Sequence, residues 1–214
     1  MTIAFLLVLA YLIGSIPTAV WLSKWMYGID IREHGSGNAG ATNAFRILGA
    51  KAGSYVMFGD MLKGFLAVKL SLFSSFLPLS EPFVNLQIFL GLAAVIGHIF
   101  PIWADFRGGK GIATLFGMIL SIHPIVAASL VVVFMMMLLI TRYVSLSSIT
   151  ASIAFPLLIL FIFNAQAQEL SYRLFAISTA FLVVLTHHKN ISRLLNGNEN
   201  KVPLFRRRRM RGRD

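Results

Sequence analysis

The 214-residue chain contains no cysteine. That one lack excludes disulfides, thiolate nucleophiles and cysteine-based metal sites. Charge is scarce as well: Asp, Glu, Lys and Arg make up 13% of the residues against 57% hydrophobic, and the mean hydropathy is +0.78. A soluble core does not need so much apolar surface, so the composition points to an integral membrane protein. Acidic residues are the scarcest, 8 against 19 Lys and Arg, which leaves a net charge of +11. Nine of those 19 follow Thr186, and six sit in the terminal run RRRRMRGR. No nucleic-acid module accompanies that run, so it reads as a basic tail (204–214) held against anionic headgroups, with no nucleic-acid partner. Nothing basic precedes Lys24. The apolar stretch from Ile3 to Leu22 therefore lacks the n-region of a signal peptide and reads as a retained span.

Apolar segments recur at 3–23, 54–77, 83–103, 112–122, 124–141, 146–163 and 170–186. Most approach the roughly 20 residues that cross a hydrocarbon core. Residues 112–141 are too long for one straight span, and Pro124 disfavours helix at His123, so a short helix followed by a full one is expected. Loop charge agrees. Lys24, Arg32, Arg46 and Lys51 follow the first span, whereas 80–85 and 164–170 carry no Lys or Arg. Positive-inside bias then puts the N-terminus outside and the basic C-terminus in the cytoplasm. Only an odd count of crossings joins them. The expected fold is an all-α integral membrane protein of seven transmembrane helices, one of them short, with 1–203 as a single domain. Asp60 and Lys63 are three apart and can pair on one helix face. They are read as structural, with substrate contact by Lys63 as the alternative; His98 and His123 lie in apolar sequence and suit core hydrogen bonding. For Lys69 snorkelling is the only account.

Three polar islands interrupt the apolar chain, HGSGNAGATNAFR (34–46), DFRGGKGIAT (105–114) and HHKNISRLLNGNENK (187–201). With TRYVSLSS (141–148), all fall on the cytoplasmic face in this topology. Glycines beside Asn, Ser, Thr, Lys and Arg supply free backbone N–H groups and positive charge, which a bound phosphate requires. In the first island Gly35, Gly37 and Gly40 form a literal G-x-G-x-x-G, but no βαβ unit surrounds it to make a dinucleotide site. Ser36, Asn38, Thr42 and Asn43 add donors, and Arg46 can fold back to grip a phosphate. In the second, Gly108, Gly109, Lys110 and Gly111 resemble part of a P-loop. Ala104 stands where that motif needs glycine, and Gly111 replaces its magnesium-binding hydroxyl, which argues against a nucleoside triphosphatase. Lys110 at a helix start is a phosphate cradle. In the third, His187 and His188 lack further ligands for a metal, so none is expected. His187 suits phosphate binding or general-base work. Glu199 reads as tying the tail to neighbouring loops.

The segments GSGNAGATNAFR, GHIFPIWADFRGGKGIAT, TRYVSLSS and HHKNISRLLNGNENK, in this order, resemble the bacterial acyl-phosphate:glycerol-3-phosphate acyltransferases, the PlsY family. The resemblance runs to about Pro203. It implies a multi-pass enzyme of the bacterial inner membrane that moves a fatty acyl group from acyl phosphate to the sn-1 hydroxyl of glycerol 3-phosphate, without cofactor. The products are lysophosphatidic acid and phosphate, in the first acylation of phospholipid synthesis. By resemblance, Ser36, Asn38, Thr42, Arg46, Lys110 with its glycines, His187 and Asn190 form the site. Ser145 or Ser147 adds phosphate contacts, and Glu199 is a structural acid. No His-x-x-x-x-Asp pattern occurs, which disfavours a His–Asp acyltransferase mechanism. Acyl phosphate is already activated, so no covalent intermediate is expected, and the donor phosphate can take the hydroxyl proton. A monomer is expected. A transporter of phosphorylated solutes is the competing class, although such proteins place their sites near the midplane and often in repeated halves; neither feature is evident.

Overall fold

The computed structural model describes residues 2–161 and 170–202. The basic tail, the end of the sixth apolar segment and the 164–169 connection lie outside the described residues. Among the described residues every regular element is helical: α1 (Ile3–Gly14), α2 (Thr18–Tyr27), α3 (Ala41–Ile47), α4 (Ala50–Lys69), α5 (Glu81–Ile99), α6 (Ile112–Ile122), α7 (Pro124–Thr141), α8 (Val144–Phe161), α9 (Leu170–Thr186) and α10 (His188–Leu195).

Two proline breaks shape the chain. At His123–Pro124 the helix stops as expected, and His123 caps the next one, its Nδ1 accepting from Val126 N–H at 3.3 Å. The first span is not continuous, contrary to the sequence reading. Pro17 lacks an N–H and disfavours helical geometry at Ile16, so the chain breaks between α1 and α2. The Ile16 carbonyl so released accepts from Lys63 Nζ at 2.9 Å and from Thr18 N–H at 3.0 Å. In apolar surroundings such a carbonyl needs partners.

Among the described residues, four stretches are long and apolar enough to cross a membrane: Ile3–Tyr27, Glu81–Ala104, Pro124–Thr141 and Val144–Phe161. The pair α9 and α10 is apolar enough only when taken together, and it is bent by 62° at the break. The 20-residue α4 has the length, but Lys51, Asp60, Lys63 and Lys69 lower its apolarity. The 11-residue α6 is short.

Glycines let these helices touch. Side-chain atoms added at Gly64 and Gly117 would enter the carbonyls of Thr114 and Met61, so α4 and α6 meet backbone to backbone at two levels. Gly14 and Gly97 do the same for α1 and α5, against Ala94 and the Tyr11 carbonyl. Small residues at helix contacts are how membrane helices gain dispersion contact where lipid removes the hydrophobic drive. Aromatic rings fill the other side: Phe155 lies edge-on to Phe175 and Tyr172, with centroids 5.6 and 6.3 Å apart. Phe58, Phe89, Met136 and Leu139 point outward from the bundle.

The i,i+3 pair anticipated in α4 is present, Lys63 Nζ lying 2.9 Å from Asp60 Oδ1, with both side chains buried. His98 of α5 joins it at 3.5 Å. Lys69 stacks its ammonium over Phe65, 5.1 Å from the ring centroid, a cation–π contact rather than simple snorkelling.

Candidate active site

Bonds between loops gather all three islands and the α7–α8 turn at one end of the bundle. Arg32, just before the first island, makes a fork on Asp30 (Nε and Nη2 at 3.0 and 2.8 Å) and donates from Nη1 to the Ala104 carbonyl at 2.8 Å. Its guanidinium holds the Asp30 carboxyl well below the usual carboxylate range. The second and third islands meet where Lys110 Nζ donates to Asn190 Oδ1. The third meets the α7–α8 turn through Ser145 Oγ donating to Glu199 Oε1 at 2.8 Å, and through Val202 N–H donating to the Arg142 carbonyl at 2.8 Å. α7 therefore returns to the end from which α6 departs.

The first island is shaped by Asn43. Its buried Oδ1 accepts from Ser36 N–H at 3.0 Å, while Nδ2 donates to the carbonyls of Ile31 and His34 at 3.2 and 2.9 Å. Asn43 was expected among the phosphate donors; with these partners it is instead a strut of its own loop. Gly35, at φ +62°, has no room for a side chain against Asn43. That loop leaves Ser36, Thr42 and Arg46 exposed, with Asn38 and Gly40 half-buried and Gly37 exposed. Thr42 and Arg46 stand four apart on α3, hence on one face.

The second island is bound to the end of α5: Gly108 N–H donates to the Ile99 carbonyl and Gly109 N–H to the His98 carbonyl, each at 3.1 Å. Neither glycine can carry a side chain, since one would enter the His98 carbonyl or imidazole. Gly111, at φ +82°, starts α6. Lys110 thus stands at the positive end of an 11-residue helix, where an anion is favoured. Burial, with Arg193 and Arg46 nearby, lowers its ammonium to about 8.

In the third island the acceptor Glu199 takes three donors: Ser145 Oγ, Asn190 Nδ2 at 2.7 Å and Arg193 Nε at 2.6 Å. Burial pushes its carboxyl up, but these bonds outweigh burial and hold it below the usual range. A carboxylate only accepts, so the Asn190 amide nitrogen faces it and the amide oxygen faces Lys110. Asn190 thereby positions Lys110, which keeps two ammonium hydrogens for a ligand. His187 Nδ1 lies 2.8 Å from the Val183 carbonyl. A carbonyl only accepts, so Nδ1 carries the proton and Nε2 the lone pair. Burial and the Lys110 charge lower His187 to about 4. Ser147 is buried and donates to the Tyr143 carbonyl at 2.8 Å. That turns Ser147 away from the role of phosphate contact expected for it.

Lys110, Asn190, Glu199, Ser145 and Arg193 form one bonded chain, with the Arg46 charge and the neutral His187 ring in electrostatic reach of Lys110. No bond links Ser36, Asn38 or Thr42 to that chain among the described residues. Arg193 and Arg32 were missed in the sequence. Arg193 was detectable, standing three residues after Asn190 on the same helix face; Arg32 meets a partner 72 residues away, which no local pattern signals.

Helices made for lipid, with a cationic, glycine-rich cluster at one end, define an integral membrane protein with a positively charged polar site. The family model described as glycerol-3-phosphate acyltransferase matches residues 4–197. A glycerol-3-phosphate acyltransferase of Salinibacter ruber is 44% identical over 212 residues, 94% of this chain and 92% of that protein. Its counterpart in Geobacillus kaustophilus is 44% identical over 199 residues, 93% and 95% of the two chains. The crystal structure of PlsY, an integral membrane glycerol 3-phosphate acyltransferase, in its glycerol 3-phosphate form, superposes with a TM-score of 0.83 at 38% identity, covering 94% of this chain and 95% of that one. The chain belongs to the glycerol-3-phosphate acyltransferase family.

Proposed function

We propose that this protein transfers a fatty acyl group from acyl phosphate to the sn-1 hydroxyl of glycerol 3-phosphate, releasing lysophosphatidic acid and phosphate. The observation that carries the reading is the bonded chain that holds a half-buried Lys110 among further cations. Two phosphates must lie close together for the hydroxyl to reach the acyl carbonyl. Their repulsion grows as dielectric falls, so clustered cations and helix N–H groups are required. The hydroxyl oxygen attacks the acyl carbon, the bond from that carbon to the phosphate oxygen breaks, and the proton passes to an oxygen of the departing phosphate. His187, lowered to about 4, is a weaker proton acceptor than a phosphate, whose second pKa is about 6. Its Nε2 lone pair accepts a hydrogen bond from the substrate hydroxyl and orients it. Arg46 and Thr42, on one face of α3, bind the second phosphate together with Ser36 and Asn38. The test is incubation of the purified protein with labelled glycerol 3-phosphate and, separately, palmitoyl phosphate, palmitoyl-CoA or palmitoyl-acyl carrier protein. Lysophosphatidic acid is expected from palmitoyl phosphate alone. No product in a folded sample, or product from a thioester donor only, removes this reading.

The site sits on the cytoplasmic face of the bacterial inner membrane, in a monomer. The membrane is crossed seven times, by α1–α2, α4, α5, α6, α7, α8 and α9, with the N-terminus outside; residues 1–203 are one domain and 204–214 its basic tail. Supporting this are the bonds that tie the basic loops to one end and the return of α7 to it. The lack of native cysteine makes the check simple. A single cysteine at Ser80 is expected to react with an impermeant maleimide on intact spheroplasts, and one at Asn198 only after lysis. The reverse pattern inverts the topology.

The Lys110 ammonium also fixes a pH dependence. Its charged fraction falls as pH rises through about 8, so kcat/KM for glycerol 3-phosphate is expected to fall about 15-fold between pH 8 and 9.5. His187 at about 4 adds no limb above pH 5; below about pH 6 the substrate phosphate itself titrates. In Lys110→Arg the residual activity loses the alkaline limb. An alkaline limb unchanged in that variant assigns it to another group.

A further inference from the structure

The buried ionic cluster beneath the second island has no place in the chemistry just described. Asp60 of α4 lies 2.9 Å from Lys63 Nζ and 3.5 Å from His98 Nδ1, and none of the three side chains is more than 5% exposed. Such groups are costly within spans, and an apolar trio of similar volume packs as well or better, so stability alone does not account for them. Their position is specific. His98 is the last turn of α5, its carbonyl accepting from Gly109 N–H at 3.1 Å. The same residue's Nε2 occupies the space a Gly109 side chain would need, beside the Ala39 carbonyl of the first island. Lys63 reaches from the cluster to the Ile16 carbonyl at the α1–α2 break. A cavity with room for about 10 Å³ of solvent is lined by Asp60, Lys63, His98, Ala39, Gly108 and Gly109. One ion cluster thus underlies the junction of two islands and the broken span.

We propose that His98, oriented by Asp60, is a positioning residue that sets the height of the Gly108–Gly109 backbone, and through it the place of the Lys110 ammonium. The Asp60 carboxylate, 3.5 Å from Nδ1, faces the ring and sets its plane; the Nε2 edge then supports Gly109 from below, while the His98 carbonyl holds its N–H. Lys63 lies against the carboxylate at 2.9 Å and ties the support to the first span. His98 touches no substrate.

The proposal rests on the acyltransferase reading, and wild-type turnover in the same assay tests that reading separately. In detergent-purified protein, His98→Ala is expected to cut kcat/KM for glycerol 3-phosphate by about 10- to 100-fold, as a displacement of about an ångström does, and to shift the alkaline limb that Lys110 sets. His98→Gln, whose amide nitrogen can take the place of Nε2 against Gly109, recovers a large part of both. A merely structural role would lower the thermal midpoint and leave the limb of the folded fraction in place. The converse variant approaches from the other side: Gly109→Ala forces a side chain into the imidazole and is expected to be nearly inactive. The double variant Gly109→Ala/His98→Ala removes that collision and should exceed the activity of Gly109→Ala alone. Should His98→Ala not fold, the cycle is run with His98→Asn as the partner of Gly109→Ala, where the smaller amide relieves the same collision. Kinetics and limb unchanged in His98→Ala, or strictly multiplicative losses in the double variant, overturn the proposal.

Discussion

Lys110→Met is expected to lose about 10²- to 10³-fold in kcat/KM, the scale on which one preorganised charge-stabilising donor acts, while the protein still inserts and folds. The ammonium has no carboxylate of its own. Its direct bond is to the neutral Asn190, and burial together with Arg193 and Arg46 already weakens its charged form. Removing that charge relieves an electrostatic burden on the empty protein, so the variant should be at least as stable as the parent by thermal unfolding. Asn190 keeps its bond to Glu199 at 2.7 Å, so the neighbouring network survives. A group that costs stability when free and contributes once an anion arrives is the signature of a binding or transition-state charge. Initial rates with palmitoyl phosphate and glycerol 3-phosphate, on material matched for monodispersity, decide the matter. Near-normal activity removes Lys110 from the chemistry and leaves Arg46 as the principal cation.

Much of this site was readable in the sequence because its chemistry is local. Gly108, Gly109 and Lys110 are neighbours, and Gly35, Ser36, Gly37 and Asn38 are neighbours, so free N–H groups and charge show themselves without a fold. The i,i+3 pairing of Asp60 with Lys63 and the helix break at His123 rest on similarly short-range rules. What was not readable depends on contacts across the bundle. Asn43 looks like any loop donor until its partners, Ile31, His34 and Ser36, are seen to exhaust it. Ser147 looks like Ser145 until one donates to the Tyr143 carbonyl and the other to Glu199. His98 lies in apolar sequence, and only the approach of α4 and the second island gives it Asp60 and Gly109 as neighbours. The first span illustrates a different failure: hydropathy averages over Pro17, so a 25-residue apolar run conceals a break that steric rules at proline would have marked.

Gly117→Val is expected to be the most damaging single change away from the polar cluster. The Gly117 Cα faces the Met61 carbonyl, and a turn away the Gly64 Cα faces Thr114, so α4 and α6 lie in reciprocal backbone contact. A branched side chain there cannot be absorbed by a rotamer change, because its obstacle is main chain. Overpacking of a tight core costs about 1–3 kcal/mol or more, and here it must push two helices apart. The consequence reaches the site, because α6 begins at Gly111 and carries Lys110 at its head, while α4 carries Asp60 beneath the same loop. The thermal midpoint should therefore fall, and the fraction still folded should turn over more slowly. Leu139→Val, at an outward-facing position 58% exposed, should change neither. Gly64→Val should resemble Gly117→Val. Because both act on one contact, the double variant should lose less than the sum of the two. Additive losses, or a Gly117→Val protein with the parental midpoint and rate, would show that α4 and α6 need no close approach and that the site is held by its loops alone.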